Sequence, residues 1–290
     1  MERELGRTDI KVRAIGFGAM PLSIDGRPSD EDAVKVILAA IEAGTNFIDT
    51  ADAYCHDDSE FGHNERLIAR ALSQLPPAAR RSVIVATKGG CTRPEGRWEN
   101  NGSPKHIKSA CEASLKNLGL ETIPLYQLHA VDPSVPLEET LGAMAELKQS
   151  GKVLHLGLSN VKIDQIKAAL TVTRIETVQN RANPAEQRDF KNGLVSFCAD
   201  NGITCIHHSP VGGIFNHGET VKHPLFRELA ERYEASPYRV ILAWHLTKGP
   251  NIIPIPGGSK ISSVTDSPRA VDLVLSAEDI ERIDRFDSKH

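Results

Sequence analysis

The chain has 290 residues, 40% hydrophobic and 25% charged, with a formal net charge of −4 at pH 7. This is the composition of an ordinary globular protein long enough for one large domain, here taken as residues 1–290. No Lys/Arg block forms a basic arm and no apolar run nears the ~18 residues of a membrane span, so neither nucleic acid nor a bilayer is an expected partner.

The first segment, "MERELGRTDIKVR", is charged throughout and lacks the apolar centre of a signal peptide. It reads as a short hairpin turning at Thr8–Asp9. Eight apolar runs follow: "RAIGFG" (13–18), "NFID" (46–49), "SVIVATK" (82–88), "LYQLH" (125–129), "VLHLGLSN" (153–160), "ETVQN" (176–180), "ITCIHHS" (203–209) and "NIIPIPG" (251–257). Several are rich in Val and Ile with little polar alternation, as expected of strands covered on both faces.

Amphipathic segments lie between them. "SDEDAVKVILAAIEAG" enters through Ser29 and Asp32, a capping box with Asp in place of Glu, and ends at Gly44. "SPKHIKSACEASLKNLG" and "KNGLVSFCADNG" end at Gly119 and Gly202. "PLEETLGAMAELKQSG" has Pro136 at its start and Gly151 past its end. Two helices are additional: "KHPLFRELAERYEAS" ahead of the helix "PYRVILAWHLTKG", and "SAEDIERIDRFDS", capped by Ser276, near the C-terminus.

Eight strand–helix units predict a closed (β/α)8 TIM barrel with an N-terminal β-hairpin and two extra helices. A doubly wound sheet would need about six strands and a glycine fingerprint. "GFGAMP" supplies Gly16 and Gly18, but Pro21 follows and no third glycine opens a helix.

In such a barrel the C-terminal strand ends form the active-site rim. Read in order, they present Asp49 with Tyr54 beyond it, Lys88, His129, Ser159 with Asn160, Gln179, His208 with Ser209, and then "GGSK", 257–260. Packing alone does not account for a whole ring of polar ends above apolar strands. The five cysteines (Cys55, Cys91, Cys111, Cys198 and Cys205) are odd in number and hold no C-x-x-C pair, which points to a reducing cytoplasm. Cys55, His56, Asp57 and Asp58 are consecutive and cannot readily converge on one ion. His207 and His208 point to opposite faces of their strand, so no metal site is expected.

The stretches "FIDTADAY", "VATKGG", "YQLHAVD", "GKVLHLGLSN", "VQN", "HHSPVGG" and "IPIPGGS" occur in the order found in the aldo-keto reductase superfamily, which the chain resembles over nearly its whole length. The resemblance implies NADPH-dependent reduction of small carbonyl compounds by a tetrad of Asp49, Tyr54, Lys88 and His129. Its chemistry is sensible. Hydride addition leaves an alkoxide that needs a proton, and a free phenol with a pKa of about 10 is a reluctant donor. Lys88 would pull the Tyr54 pKa down, Asp49 would hold Lys88, and His129 would orient the carbonyl. Asp52 is expected to be structural, bonding loop amides.

By the same resemblance Ser159, Asn160 and Gln179 would bind the nicotinamide carboxamide, with Gly18 and Met20 beside the ring. Ser209, Pro210, Val211 and Gly213 would run along the pyrophosphate. Gly257, Ser259 and Lys260 would meet the 2′-phosphate, with Ser263 at the position of the family's phosphate-binding Arg, and Asp266 would lie at the adenine. Substrate is expected to touch Tyr54, Cys55 and His129, and the loop "CTRPEGRWENNG", with Trp98, to form one wall of its pocket. Three departures from the family pattern stand out. His208 stands where an aromatic residue usually stacks on nicotinamide, and Cys55 where a glycine follows the tyrosine. Ser263, Asp266 and Ser267 replace the usual Arg and Glu-Asn pair, so NADH remains open as an alternative cofactor. With only Lys289 and His290 after the last helical pattern, an open pocket and broad aldehyde specificity are expected, in a monomer. Two alternatives stand beside this reading: a nucleotide-binding regulator like the potassium-channel β-subunits, and a dedicated enzyme such as a pyridoxal reductase.

Overall fold

The computed structural model describes residues 1–286, the side chains of 214–217 excepted. Strands β1 (Glu2–Glu4) and β2 (Lys11–Arg13) pair antiparallel in the predicted hairpin. Eight further strands form one parallel sheet: β3 (Phe17–Gly18), β4 (Phe47–Asp49), β5 (Ile84–Gly89), β8 (Ile123–Leu128), β9 (Val153–Ser159), β10 (Thr177–Arg181), β11 (Thr204–His208) and β12 (Ile252–Ile255). Their spatial order is their chain order. The sheet closes where Gly16 N and Gly18 N donate to Pro254 O and Pro256 O, each at 3.0 Å. It is a (β/α)8 barrel, as the spacing of apolar runs predicts.

The predicted helices form, with the caps expected at Ser29 and Ser276 and two more, at Ser103 and Ser236, that were not predicted. Ser29, Ser103, Ser236 and Ser276 each accept from an amide three residues on. The Ser29 box is incomplete, because Asp32 accepts from the Ser29 hydroxyl rather than from its amide. Both additional helices are present, at Pro224–Arg232 and Ala277–Asp284. Lys289 and His290, on which the short-tail expectation rests, lie outside the described residues. Several elements were not named in advance, two of them in loops beyond the strand ends. A helix at Gly213–Lys222 precedes the first extra helix, and a second hairpin, β6 (Cys91–Thr92) with β7 (Glu99–Asn100), folds the loop after β5.

The barrel interior is layered by the two-residue period of its strands. Phe47, Ala86, Leu125, Ile206, Ile253 and Ile255 form an apolar cluster that Leu5 and Val12 of the N-terminal hairpin complete from below. Gly6 N and Arg7 N donate to Thr204 Oγ1 and Glu176 Oε2, tying that plug to the strand starts. Two residues further along their strands, Phe47 gives way to Asp49, Ala86 to Lys88, Leu125 to Gln127 and Ile206 to His208. The interior thus changes from apolar floor to polar layer in one step.

Close packing fixes β5 beside this layer. A Cβ on Gly89 would come within 2.0 Å of Tyr126 Oη and 2.9 Å of its Cζ, and that ring is fully buried. Gly89→Ala is therefore expected to lower stability by about 1–3 kcal/mol, the usual cost of overpacking. Chemical denaturation checks this; an unchanged midpoint would show that Tyr126 can move aside.

Candidate active site

Asp49 ends β4 and Lys88 sits one residue before the end of β5, on adjacent strands, so their side chains meet inside the barrel. Lys88 Nζ donates to Asp49 Oδ2 at 2.6 Å, to Thr50 O at 2.9 Å and to Tyr54 Oη at 2.9 Å. These three contacts engage all three ammonium protons. Asp49 Oδ1 accepts from Gln179 Nε2 at 2.7 Å and Gln127 Nε2 at 3.2 Å. Lys88 is 0% and Asp49 1% exposed. Such a pair survives burial because every strong donor and acceptor has a partner. Gln127 was missed by the sequence reading, although its place two residues before His129 puts it on the inward face of β8.

Tyr54 stands above the ammonium, which lies 4.8 Å from its ring centroid. The ring packs edge-on against His129 (centroids 5.6 Å apart) and Trp98 (6.3 Å), and Trp98 packs against His129 at 5.7 Å. The structure thus brings the four predicted catalytic residues and Trp98 together. It corrects one expectation. Burial pushes the Tyr54 phenol up to about 12, and the Lys88 ammonium only partly offsets this. Tyr54 is accordingly a neutral phenol at neutral pH, holding the proton that a developing alkoxide would take. For Lys88, burial acts downward, but Asp49 and Tyr54 outweigh it and raise its pKa, so it stays charged. His129 is driven well below its ordinary value by burial and by Lys88, so it acts as a neutral hydrogen-bonding ring.

Asp52 does not behave as expected. Its backbone carbonyl accepts from the Gly62 amide at 2.8 Å, but both carboxylate oxygens are enclosed without a hydrogen bond of good geometry. Burial and the nearby Glu65 carboxylate raise its pKa well above the usual range, against weaker opposing pulls from the Ala53 amide and Lys88. Cys55 is buried, its thiol pushed up to about 11 by burial, and its Sγ donates to Ala53 O. His56 pairs with Asp25 and Asp57 caps Ser59, so this stretch does not converge on a common point.

The remaining rim follows the strand ends. Asn160 and Ser209 both adopt positive φ, 58° and 53°, a left-handed backbone uncommon outside glycine and found preferentially where a site constrains it. His208 Nε2 lies 3.1 Å from Asn160 Oδ1 and its Nδ1 3.1 Å from Ser209 Oγ. With its pKa lowered to about 3 by burial and Lys88, the ring is neutral, donating toward the amide oxygen. Asn160 Nδ2 is already spent on His129 O and Ser159 Oγ, and Gln179 Nε2 on Asp49. What the rim leaves for a planar carboxamide is therefore the Ser159 hydroxyl proton and the Gln179 amide oxygen. Those groups suit one donor and one acceptor of a nicotinamide.

Pro210 O accepts from His245 Nε2 at 3.0 Å, and Arg181, unanticipated at the end of β10, donates to Gly212 O at 3.1 Å. These contacts fix the loop holding Pro210, Val211 and Gly213, the last at φ 72°. Gly18 lies against the Gly257 backbone across the barrel seam, and Met20 opens the short turn Met20–Leu22. Ser259 and Lys260 precede the helix Ile261–Asp266, which carries Ser263. Asp266 has protein partners for both of its carboxylate oxygens. It is bonded to Ser236 Oγ and paired with Arg239 at 3.1 Å, so its carboxylate is turned to the neighbouring helix.

A model of the Aldo/keto reductase family matches residues 14–288. The chain belongs to the aldo/keto reductase family. It is an oxidoreductase of that family, 34% identical to a probable aldo-keto reductase 1 of Glycine max over 97% of this chain and 87% of the relative. Among solved structures, the thermostable aldo-keto reductase Tm1743 superposes with a TM-score of 0.84 at 28% identity, covering 98% of each chain. The glycerol dehydrogenase AKR11B4 of Gluconobacter oxydans gives a TM-score of 0.83 at 25% identity, covering 98% of this chain and 94% of that one. Among the described residues of this aldo-keto reductase no helix is long and apolar enough to cross a membrane.

Proposed function

We propose that this aldo-keto reductase converts aldehydes and ketones to alcohols with NADPH, Tyr54 acting as the general acid. The observation that carries the reading is the buried chain of contacts Asp49–Lys88–Tyr54, 2.6 and 2.9 Å long, ending at a neutral phenol beside His129 and Trp98. When bound, NADPH would supply the hydride. The carbonyl oxygen is oriented by the His129 imidazole and receives the proton of Tyr54 Oη. Lys88 stabilises the phenolate that this transfer leaves, and Asp49, held by the two glutamine amides, keeps Lys88 charged and aimed. Gln179 therefore serves Asp49 through its nitrogen and the nicotinamide through its oxygen. Ser159, with Gly18 and Met20, completes that pocket, and neutral His208 offers the ring a flat face. In the reverse direction Tyr54 must give up its proton first, so oxidation of alcohols should rise with pH while reduction should not.

The test is steady loss of NADPH absorbance with a panel of aldehydes. Nucleotide binding without turnover would favour the regulatory alternative. The cofactor end has its own test. Lys260 is exposed and pairs with no carboxylate among the described residues. Lys260→Ala is expected to weaken NADPH about five- to tenfold, a charge-assisted contact discounted for solvent screening, and to leave NADH nearly unchanged. Equal losses in a fluorescence titration would place the 2′-phosphate elsewhere.

A further inference from the structure

We propose that the pocket is built for carbonyl compounds that carry a carboxylate, and that Arg93 binds that group. This rests on the reductase reading above and narrows its substrate class. Arg93 lies in the loop joining β6 to β7, at the entry to the turn Pro94–Gly96. Its guanidinium carbon is 4.1 Å from the Trp98 ring centroid, and its Nη2 donates to His56 O at 2.9 Å. The residue is only 6% exposed, and its Nε is enclosed with no partner.

A buried cation is costly unless an anion faces it, and among the described residues no carboxylate pairs with Arg93. Suitable acids are close in sequence. Glu95 and Glu99, in the same turn and strand, both pair with Arg97. Glu60, in the adjoining turn, pairs with Arg27 at 2.7 Å, and Asp57 is bonded to Ser59. These four carboxylates are directed elsewhere, and a fifth, Asp58, whose amide donates to Arg93 O at 3.1 Å, is exposed and pairs with no cation among the described residues, Arg93 included. A guanidinium offers five donors in a planar fork suited to carboxylate binding; here Nη2 bonds His56 O and Nε is enclosed, which leaves the remaining terminal N–H groups for a ligand. Position indicates what they await. Trp98, 49% exposed, carries the guanidinium on its ring and packs against both Tyr54 and His129. A substrate with its carbonyl oxygen at Tyr54 and His129 and its body along the indole would bring a distal acid to Arg93.

The decisive comparison is between 4-formylbenzoate and 4-formylbenzamide, of equal shape and different charge. The wild type is expected to favour the acid in kcat/KM by about ten- to a hundredfold, mostly through KM, the size of one charged hydrogen-bonded contact. Arg93→Met should bring the ratio near unity and Arg93→Lys should restore part of it. If Arg93 only braced the His56 turn, its variants would lower both rates and leave the ratio alone. Equal rates in the wild type, or a preference that survives in Arg93→Met and Arg93→Gln, would overturn the proposal. If no carbonyl is turned over at all, the reductase reading fails, and the anion site is judged by binding. Titration at constant ionic strength with glutarate should change tryptophan emission saturably, whereas glutaramide should not. The change should vanish in Arg93→Met and in Trp98→Phe, which leaves Trp244 as the sole indole. No response, or the same response to the diamide, overturns it equally.

Discussion

Tyr54→Phe is expected to abolish carbonyl reduction while leaving the fold and NADPH affinity in place. The variant keeps the ring that packs against Trp98 and His129 and loses only the hydroxyl bonded to Lys88 Nζ at 2.9 Å. Loss of a general acid costs about 10²–10⁴ in rate. No neighbour can replace it: His129 is neutral, and Lys88 is fixed by three contacts below the phenol. Single-turnover reduction would read the loss, and cofactor fluorescence would show the nucleotide still bound. A variant retaining more than about a tenth of the wild-type rate would remove Tyr54 from the role of acid.

Lys88→Met should damage both stability and rate, and a second change should separate the two. The ammonium is the buried partner of Asp49. Without it the carboxylate keeps its two glutamine amides but faces no cation, a situation that typically costs about 3–5 kcal/mol. Replacing the acid as well, in Lys88→Met with Asp49→Asn, removes the stranded charge. The double variant should recover much of the lost stability. It should remain inactive, because nothing then stabilises the phenolate that proton donation leaves on Tyr54. A single variant as stable as wild type, or a double variant that regains turnover, would contradict this account.

Much of this was legible in the sequence because strands impose a period. A residue at the end of a buried strand must point inward or outward, and a two-residue alternation decides which. That reasoning finds Asp49, Lys88, His129, Gln179 and His208, and would have found Gln127 had the rule been carried one step down β8. Tyr54 and Trp98 lie on loops, where no period applies; Tyr54 stood out as a phenol just past a strand end and gained its role from the family resemblance, and Trp98 only as a large ring in a loop beside the rim. Arg93 had neither aid. Its importance arises from burial and from carboxylates turned elsewhere, which are tertiary facts. The Tyr54 phenol shows a different limit. The pull of Lys88 follows from residue types, but the larger opposing effect of burial depends on how deeply the ring is enclosed. The partners of Asp266 were hidden for a similar reason, since its pairing with Arg239 joins two separate helices.

The N-terminal hairpin that closes the barrel floor also bears on access. With Leu5 and Val12 packed beneath a layer of Phe47, Ala86, Leu125, Ile206, Ile253 and Ile255, that end of the barrel is filled by side chains. Whatever reacts at Tyr54 must therefore arrive and depart on the side where the strands end, so what enters and what leaves share one approach and the hairpin end carries no traffic.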